Sequence, residues 1–171
     1  MAKWIAAALL AGLAAQAQSF LGKAPPELVG TKDQWINAPD GVQLAKLKGK
    51  VVWVEFGFLR CLPCKKMMPI LDRWHADLAS KGLVIVDVDD GAADDLDEVQ
   101  KASKEHGTKY AVLWDKDSRN FLKFGVEASP RAFLVGADGN VVWEGILSGD
   151  KPEEVQKYEA MLNAEFEKLK K

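Results

Sequence analysis

Two patterns in succession constrain this chain most. The run Val51-Val52-Trp53-Val54-Glu55-Phe56 is apolar except at Glu55, and a helical repeat at Met67, Ile70, Leu71, Trp74 and Leu78 follows it. The run lacks the alternation of a half-solvated strand, so it is expected in the middle of a sheet, covered on both faces. The repeat predicts an amphipathic helix reaching about Ser80, stopped by Gly82. A strand feeding a helix in this way needs a neighbouring strand to return to, and Leu83-Val84-Ile85-Val86-Asp87-Val88 is a second β-branched run.

The rest of the chain continues the alternation. Asp94 to His106 has helical composition with Gly107 as its stop, Ala111 to Trp114 reads as a short strand, and Ser118 to Phe124 as a short helix. Arg131 to Val135 and Asn140 to Trp143 flank Gly136-Ala137-Asp138-Gly139, which predicts a hairpin with an Asp-Gly turn. The last helix is expected to start with Asp150 as N-cap, Pro152 in the first turn and Glu153 closing a capping box. Its buried stripe would be Val155, Tyr158, Leu162, Phe166 and Leu169. Before the first strand, Pro39-Asp40-Gly41 marks a turn in a short hairpin or irregular lead-in, and Leu44 to Gly49 reads as one helical turn closed by glycine. Strands alternating with helices imply an α/β fold with a central sheet covered on both faces. No repeat or linker divides the chain, so residues 18–171 are expected to form a single domain.

Composition excludes some function classes. Of 171 residues, 48% are apolar and 28% charged, with a net charge of −2 spread along the chain. Without a basic block there is no footprint for nucleic acid. Two cysteines are too few for a disulfide scaffold. At the N-terminus, Lys3, the apolar stretch Trp4 to Ala15 and Ala15-Gln16-Ala17 form the pattern of an export signal with an A-x-A cleavage site. The stretch is too short to span a bilayer, which takes about 20 residues. Residues 1–17 are therefore read as a signal peptide and the mature chain as periplasmic, without stable membrane insertion; an uncleaved anchor is the alternative.

The two cysteines stand together as Cys61-Leu62-Pro63-Cys64, between the first strand and its helix. A sulfur at a helix start meets unpaired backbone N–H groups and the positive end of the dipole, which favour its thiolate. Pro63 suits a first turn, where no N–H is needed. Cys64, one turn on, is placed to close a disulfide with Cys61. Cys61, at the exposed start, is expected to attack, and Cys64, beneath the turn, to resolve the mixed disulfide. Arg60, Lys65 and Lys66 add positive charge. Half a zinc site and a purely structural disulfide are the bland alternatives. Zinc would need more ligands than His75 and His106 offer, and a loop this short adds little stability.

These blocks resemble thioredoxins. The strand, Cys61-Leu62-Pro63-Cys64-Lys65 and Met68-Pro69-Ile70-Leu71-Asp72 match the active-site strand and helix of that family. Phe124-Gly125-Val126 through Ser129-Pro130 to Phe133-Leu134-Val135 is similar to the segment around its cis-proline. The lead-in Leu47 to Val52, the export signal and the extra unit from Asp94 to Trp114 resemble the TlpA/ResA-like branch of exported proteins. The resemblance implies a thioredoxin-like mixed sheet and a thiol–disulfide oxidoreductase that reduces selected partner proteins, with a membrane thiol reductase as electron donor and no cofactor or metal. It implies that Pro130 is cis and, with Ser129, pairs with an extended substrate segment. Glu55, six residues before Cys61, matches a buried carboxylate that relays the Cys64 proton, the alternative being a carboxylate on a solvated face. The lysine that partners this carboxylate in thioredoxins has no clear counterpart here.

Two positions depart from the family pattern. Arg60 stands where an aromatic residue is usual, and Arg131 follows Pro130 where threonine is common. If both flank the dithiol they would form a cationic rim selecting acidic partners; they may otherwise be solvated charges. An oxidase or isomerase on the same fold and a copper(I)-binding module are rival readings. A peroxidase is disfavoured by Phe58, where that chemistry needs a hydroxyl side chain. Trp53, Trp74, Trp114 and Trp143 are expected in the core, His75 at the surface, and Asp87, Asp89, Asp90, Asp94, Asp95 and Asp97 in a solvated acidic loop.

Overall fold

A computed structural model describes residues 18–170; the export signal expected over residues 1–17 lies outside the described residues. A six-stranded sheet runs in the order β1-β4-β3-β2-β5-β6. Its members are β1 (Trp35–Ile36), β2 (Val51–Gly57), β3 (Leu83–Asp90), β4 (Ala111–Asp115), β5 (Arg131–Val135) and β6 (Val141–Ile146). The helices are α1 (Leu62–Leu78), α2 (Leu96–His106), α3 (Arg119–Phe124) and α4 (Pro152–Leu169). Strands β2, β3 and β4 are parallel, and β5, β6 and β1 run antiparallel to their neighbours. The fold is thioredoxin-like, with the two-sided helical cover that the alternation predicts and the mixed sheet that the resemblance implies.

β2 is central and buried at every position. On one face Val51 and Trp53 pack with Met67 and Leu71 of α1, Val99 of α2 and Tyr158 and Leu162 of α4. On the other, Val52, Val54 and Phe56 meet Phe121 and Phe124 of α3 and the N-terminal residues Phe20, Leu28 and Leu44. The right-handed β2-α1-β3 and β3-α2-β4 connections put α1 and α2 on one side.

Of the two forms expected for the lead-in, the irregular one is present, with β1 two residues long and paired antiparallel to distant β4. Two expectations need correction. Asp150 does not cap α4. Lys151 holds the N-cap position without a side-chain bond, because the Asp150 carboxylate is taken up by the Ser148 hydroxyl at 2.7 Å and Lys66 Nζ at 3.0 Å. The acidic segment is not uniformly solvated. Asp89 and Asp94 are buried, since β3 runs on to Asp90 and carries Asp89 into the interior. Asp94 turns inward to accept the Leu59 N–H, and Asp95 forms a capping box with Glu98 at the start of α2.

Candidate active site

Cys61 is the N-cap residue of α1, with extended backbone (φ −72°, ψ 108°), and its Sγ accepts the Cys64 N–H at 3.2 Å. Pro63 lies in the first turn. The two sulfurs are bonded at 2.06 Å, with Cα atoms 5.2 Å apart. Exposure does not separate the cysteines as expected: Cys61 is 6% and Cys64 7% exposed. What differs is direction. Cys64 lines a cavity whose lining does not include Cys61.

Gly57 makes room for that arrangement. A Cβ on Gly57 would lie 3.1 Å from Cys64 Sγ and 3.3 Å from its Cβ, so the sulfur occupies the space a side chain would fill. The cavity under Cys64 is lined by Glu55 and Gly57 of β2, Asp87 and Asp89 of β3, Met68 and Leu71 of α1 and Tyr110. Parallel pairing sets Glu55 beside Asp87 and Gly57 beside Asp89. With a period of two, these residues share the face of Trp53 and Ile85.

Glu55 is 2% exposed and accepts a hydrogen bond from Trp53 Nε1 at 3.3 Å. Burial, and then the adjacent Asp87 charge, hold its carboxyl well above the ordinary range, against the small opposing effect of the Trp53 bond. Asp87 is raised by burial and by Asp72. For Asp89, burial first and then the charges of Asp87, Asp94, Asp90 and Glu98 push the carboxyl up to about 9. Asp87 occupies the register position opposite Glu55, and it is a second acid rather than a base.

The Ser129–Pro130 peptide is cis. Phe56 pairs with Arg131 across β2 and β5, so the next step of the register brings Pro130 alongside Gly57 and hence beside the Cys64 sulfur. Pro130 is buried, its carbonyl accepting the Leu147 N–H at 2.9 Å, and Ser129 is half-buried. The two arginines are not brought together. Arg60 is outward-facing, with Nε 3.5 Å from Asp94 and a bond to the Ala93 carbonyl. Arg131 pairs with Glu144 at 3.3 Å and lies over the Phe133 ring on the opposite face of the sheet. Each guanidinium already has a carboxylate partner.

Sequence reasoning passed over Gly57 and placed Asp89 in a solvated loop. The signal was available in principle: both continue the period-two pattern one step past Glu55 and Asp87. Among the described residues, no group of three or more His, Cys, Asp or Glu side chains is arranged to hold a metal ion, and no helix is long and apolar enough to cross a membrane.

The Redoxin family model matches residues 24–162. A curated relative named thiol-disulfide oxidoreductase ResA, from Bacillus thuringiensis, is 33% identical over 118 residues, which are 68% of this chain and 66% of the relative. The chain thus spans just under two thirds of that relative's length. Among solved structures, a thiol:disulfide interchange protein of the thioredoxin family from Chlorobium tepidum superposes with a TM-score of 0.66 at 23% identity, covering 84% of this chain and 95% of the other. An uncharacterized conserved protein from Geobacillus kaustophilus reaches 0.73 at 22% identity, covering 87% and 84%.

Proposed function

The chain belongs to the Redoxin family, and from that premise we propose that it is a thiol–disulfide oxidoreductase that reduces disulfides of partner proteins through Cys61 and Cys64. The observation that carries this reading is the position of the bond: a disulfide at the N-cap of α1, with Cys61 Sγ accepting the Cys64 N–H. In the reduced protein the same N–H and the helix dipole stabilise a Cys61 thiolate, the species that attacks.

The Cys61 thiolate attacks a partner disulfide, forming a mixed disulfide and releasing one partner thiolate. Cys64 loses its proton and displaces the second partner thiolate from Cys61, closing the Cys61–Cys64 bond. Two electrons pass from the dithiol to the partner, and the released thiolates take up protons. The division of roles rests on direction: Cys64 faces the carboxyl-lined cavity, and Cys61 sits at the helix mouth beside exposed Leu62 and Pro63. The family resemblance assigns the proton of Cys64 to a buried carboxyl, Glu55, and the cavity under Cys64 holds Asp87 and Asp89 beside it. The Ser129–Pro130 segment receives the partner's backbone beside the sulfurs. Arg60 and Arg131 contribute less to recognition, because Asp94 and Glu144 already neutralise them.

The export pattern at Trp4 to Ala17 supports a periplasmic site of action. There a membrane thiol reductase would return the electrons, a partner that the family resemblance implies. A Cys64→Ser variant expressed in cells tests the reading. It is expected to retain partner proteins as mixed disulfides on Cys61 that thiol reductant releases, and recovery of the variant free of any disulfide-linked protein would overturn it.

A further inference from the structure

The interior behind the dithiol holds more acid than one relay needs. We propose that Asp89 is the proton donor and acceptor of Cys64, carried by the strand next to the one the sulfur lies over, with Glu55 and Asp87 as its neighbours in the cavity. The inference rests on the reading of Cys61 and Cys64 as an exchanging pair.

Register carries the argument. Cys64 Sγ lies over Gly57, and the residue paired with Gly57 on β3 is Asp89. Adjacent strands are about 4.8 Å apart, whereas residues two apart on one strand are separated by about 6.6 Å. Asp89 is thus the carboxyl-bearing residue whose backbone lies directly beside the position under the sulfur, and Glu55 is two positions back along β2. Both Asp89 and Cys64 line the same cavity. Asp89 is 5% exposed, and its Oδ1 has no hydrogen-bond partner. A buried carboxyl oxygen without a partner costs free energy, and a cavity shared with a sulfur that must gain and lose a proton supplies a use for it.

The groups facing Asp89 decide which form it holds. Glu55 comes from β2, Asp87 and Asp90 from β3, Asp94 from the following loop, Glu98 from α2 and Tyr110 from the residue before β4. Arg60 pairs with Asp94, one of these acids. Burial among acids keeps Asp89 protonated at neutral pH while the disulfide is closed. When an external thiolate attacks Cys61, the Cys61–Cys64 bond breaks and Cys64 leaves with the electron pair. It then takes the Asp89 proton and becomes a thiol. In the reverse direction Cys64 returns that proton to the Asp89 carboxylate as its sulfur displaces the partner from Cys61.

The test follows the opening of the disulfide in the purified oxidised full chain by dithiothreitol between pH 7 and 10, with each rate divided by the reductant's thiolate concentration. The wild-type rate per thiolate is expected to fall on the alkaline side as Asp89 loses its proton. Asp89→Asn should abolish this limb and lower the neutral-pH rate about 100-fold, the low end of what a positioned proton donor contributes. Glu55→Gln should keep the limb. A flat wild-type profile would overturn the assignment without any variant, as would an Asp89→Asn profile that matches wild type. A wild-type disulfide that does not open at all would instead defeat the exchanging pair itself, so the two failures are distinct.

Discussion

The two faces of β2 are equally buried and chemically opposite. Toward α3, Val52, Val54 and Phe56 enter an aromatic cluster, with the Phe56 ring 4.9 Å from Phe124, 5.2 Å from Phe121 and 5.8 Å from Phe133. Toward α1 the same strand presents Trp53, Glu55 and Gly57, and β3 adds Asp87 and Asp89. One face stabilises the sheet. The other spends part of that stability on carboxyls kept away from water. Burial alone therefore does not distinguish support from chemistry; what the buried atoms do for the sulfur does.

The largest effect that would break this contrast lies on the apolar face. Phe56→Ala should cost about 3–5 kcal/mol, as large-to-small aromatic core changes do, read as a shift in the urea midpoint. The rate of disulfide opening in molecules that remain folded should be unchanged.

On the acidic face the expected signature is pH dependence. Glu55, Asp87 and Asp89 have folded-state pKa values raised above those of the unfolded chain. Between the two values the folded protein binds more protons, so stability falls as pH rises from about 4 toward the folded values. The slope is about 1.4 kcal/mol per pH unit for each carboxyl that stays protonated. Urea unfolding at pH 5 and pH 8 should show wild type losing ground to Asp89→Asn as pH increases. A gap that stays constant with pH would mean that Asp89 is ionised in both states.

A smaller effect concerns the bond between the sulfurs. Reducing the Cys61–Cys64 disulfide should lower stability by no more than about 2 kcal/mol, given the short loop it closes, measured from unfolding midpoints with and without reductant. Smallest of all, Arg60→Gln should cost less than about 1 kcal/mol, because its side chain is 72% exposed. It should also leave the salt dependence of disulfide opening unaltered; a marked loss of salt dependence would restore the cationic rim.

Much of the site was legible because its signals are local. The N-cap position of Cys61, Pro63 in the first turn and the stripe at Met67, Leu71 and Trp74 are written within α1 itself. The acids were harder to place. Asp87 and Asp89 sit in a string of aspartates that reads as a solvated loop, and only the continuation of β3 to Asp90 buries Asp89. Asp150 was misread for a similar reason: a capping pattern competes with Lys66, a partner 84 positions away in sequence.

By itself the sequence determined five of the sheet's six strands, the helix that begins at the dithiol, and which residues of each strand share a side, since these follow from periods of two and 3.6. Tertiary structure alone decided that Glu55 lies beside Asp87 and Gly57 beside Asp89. Register between strands depends on long-range pairing, and a slip of one residue would turn both aspartates to the other side of the sheet.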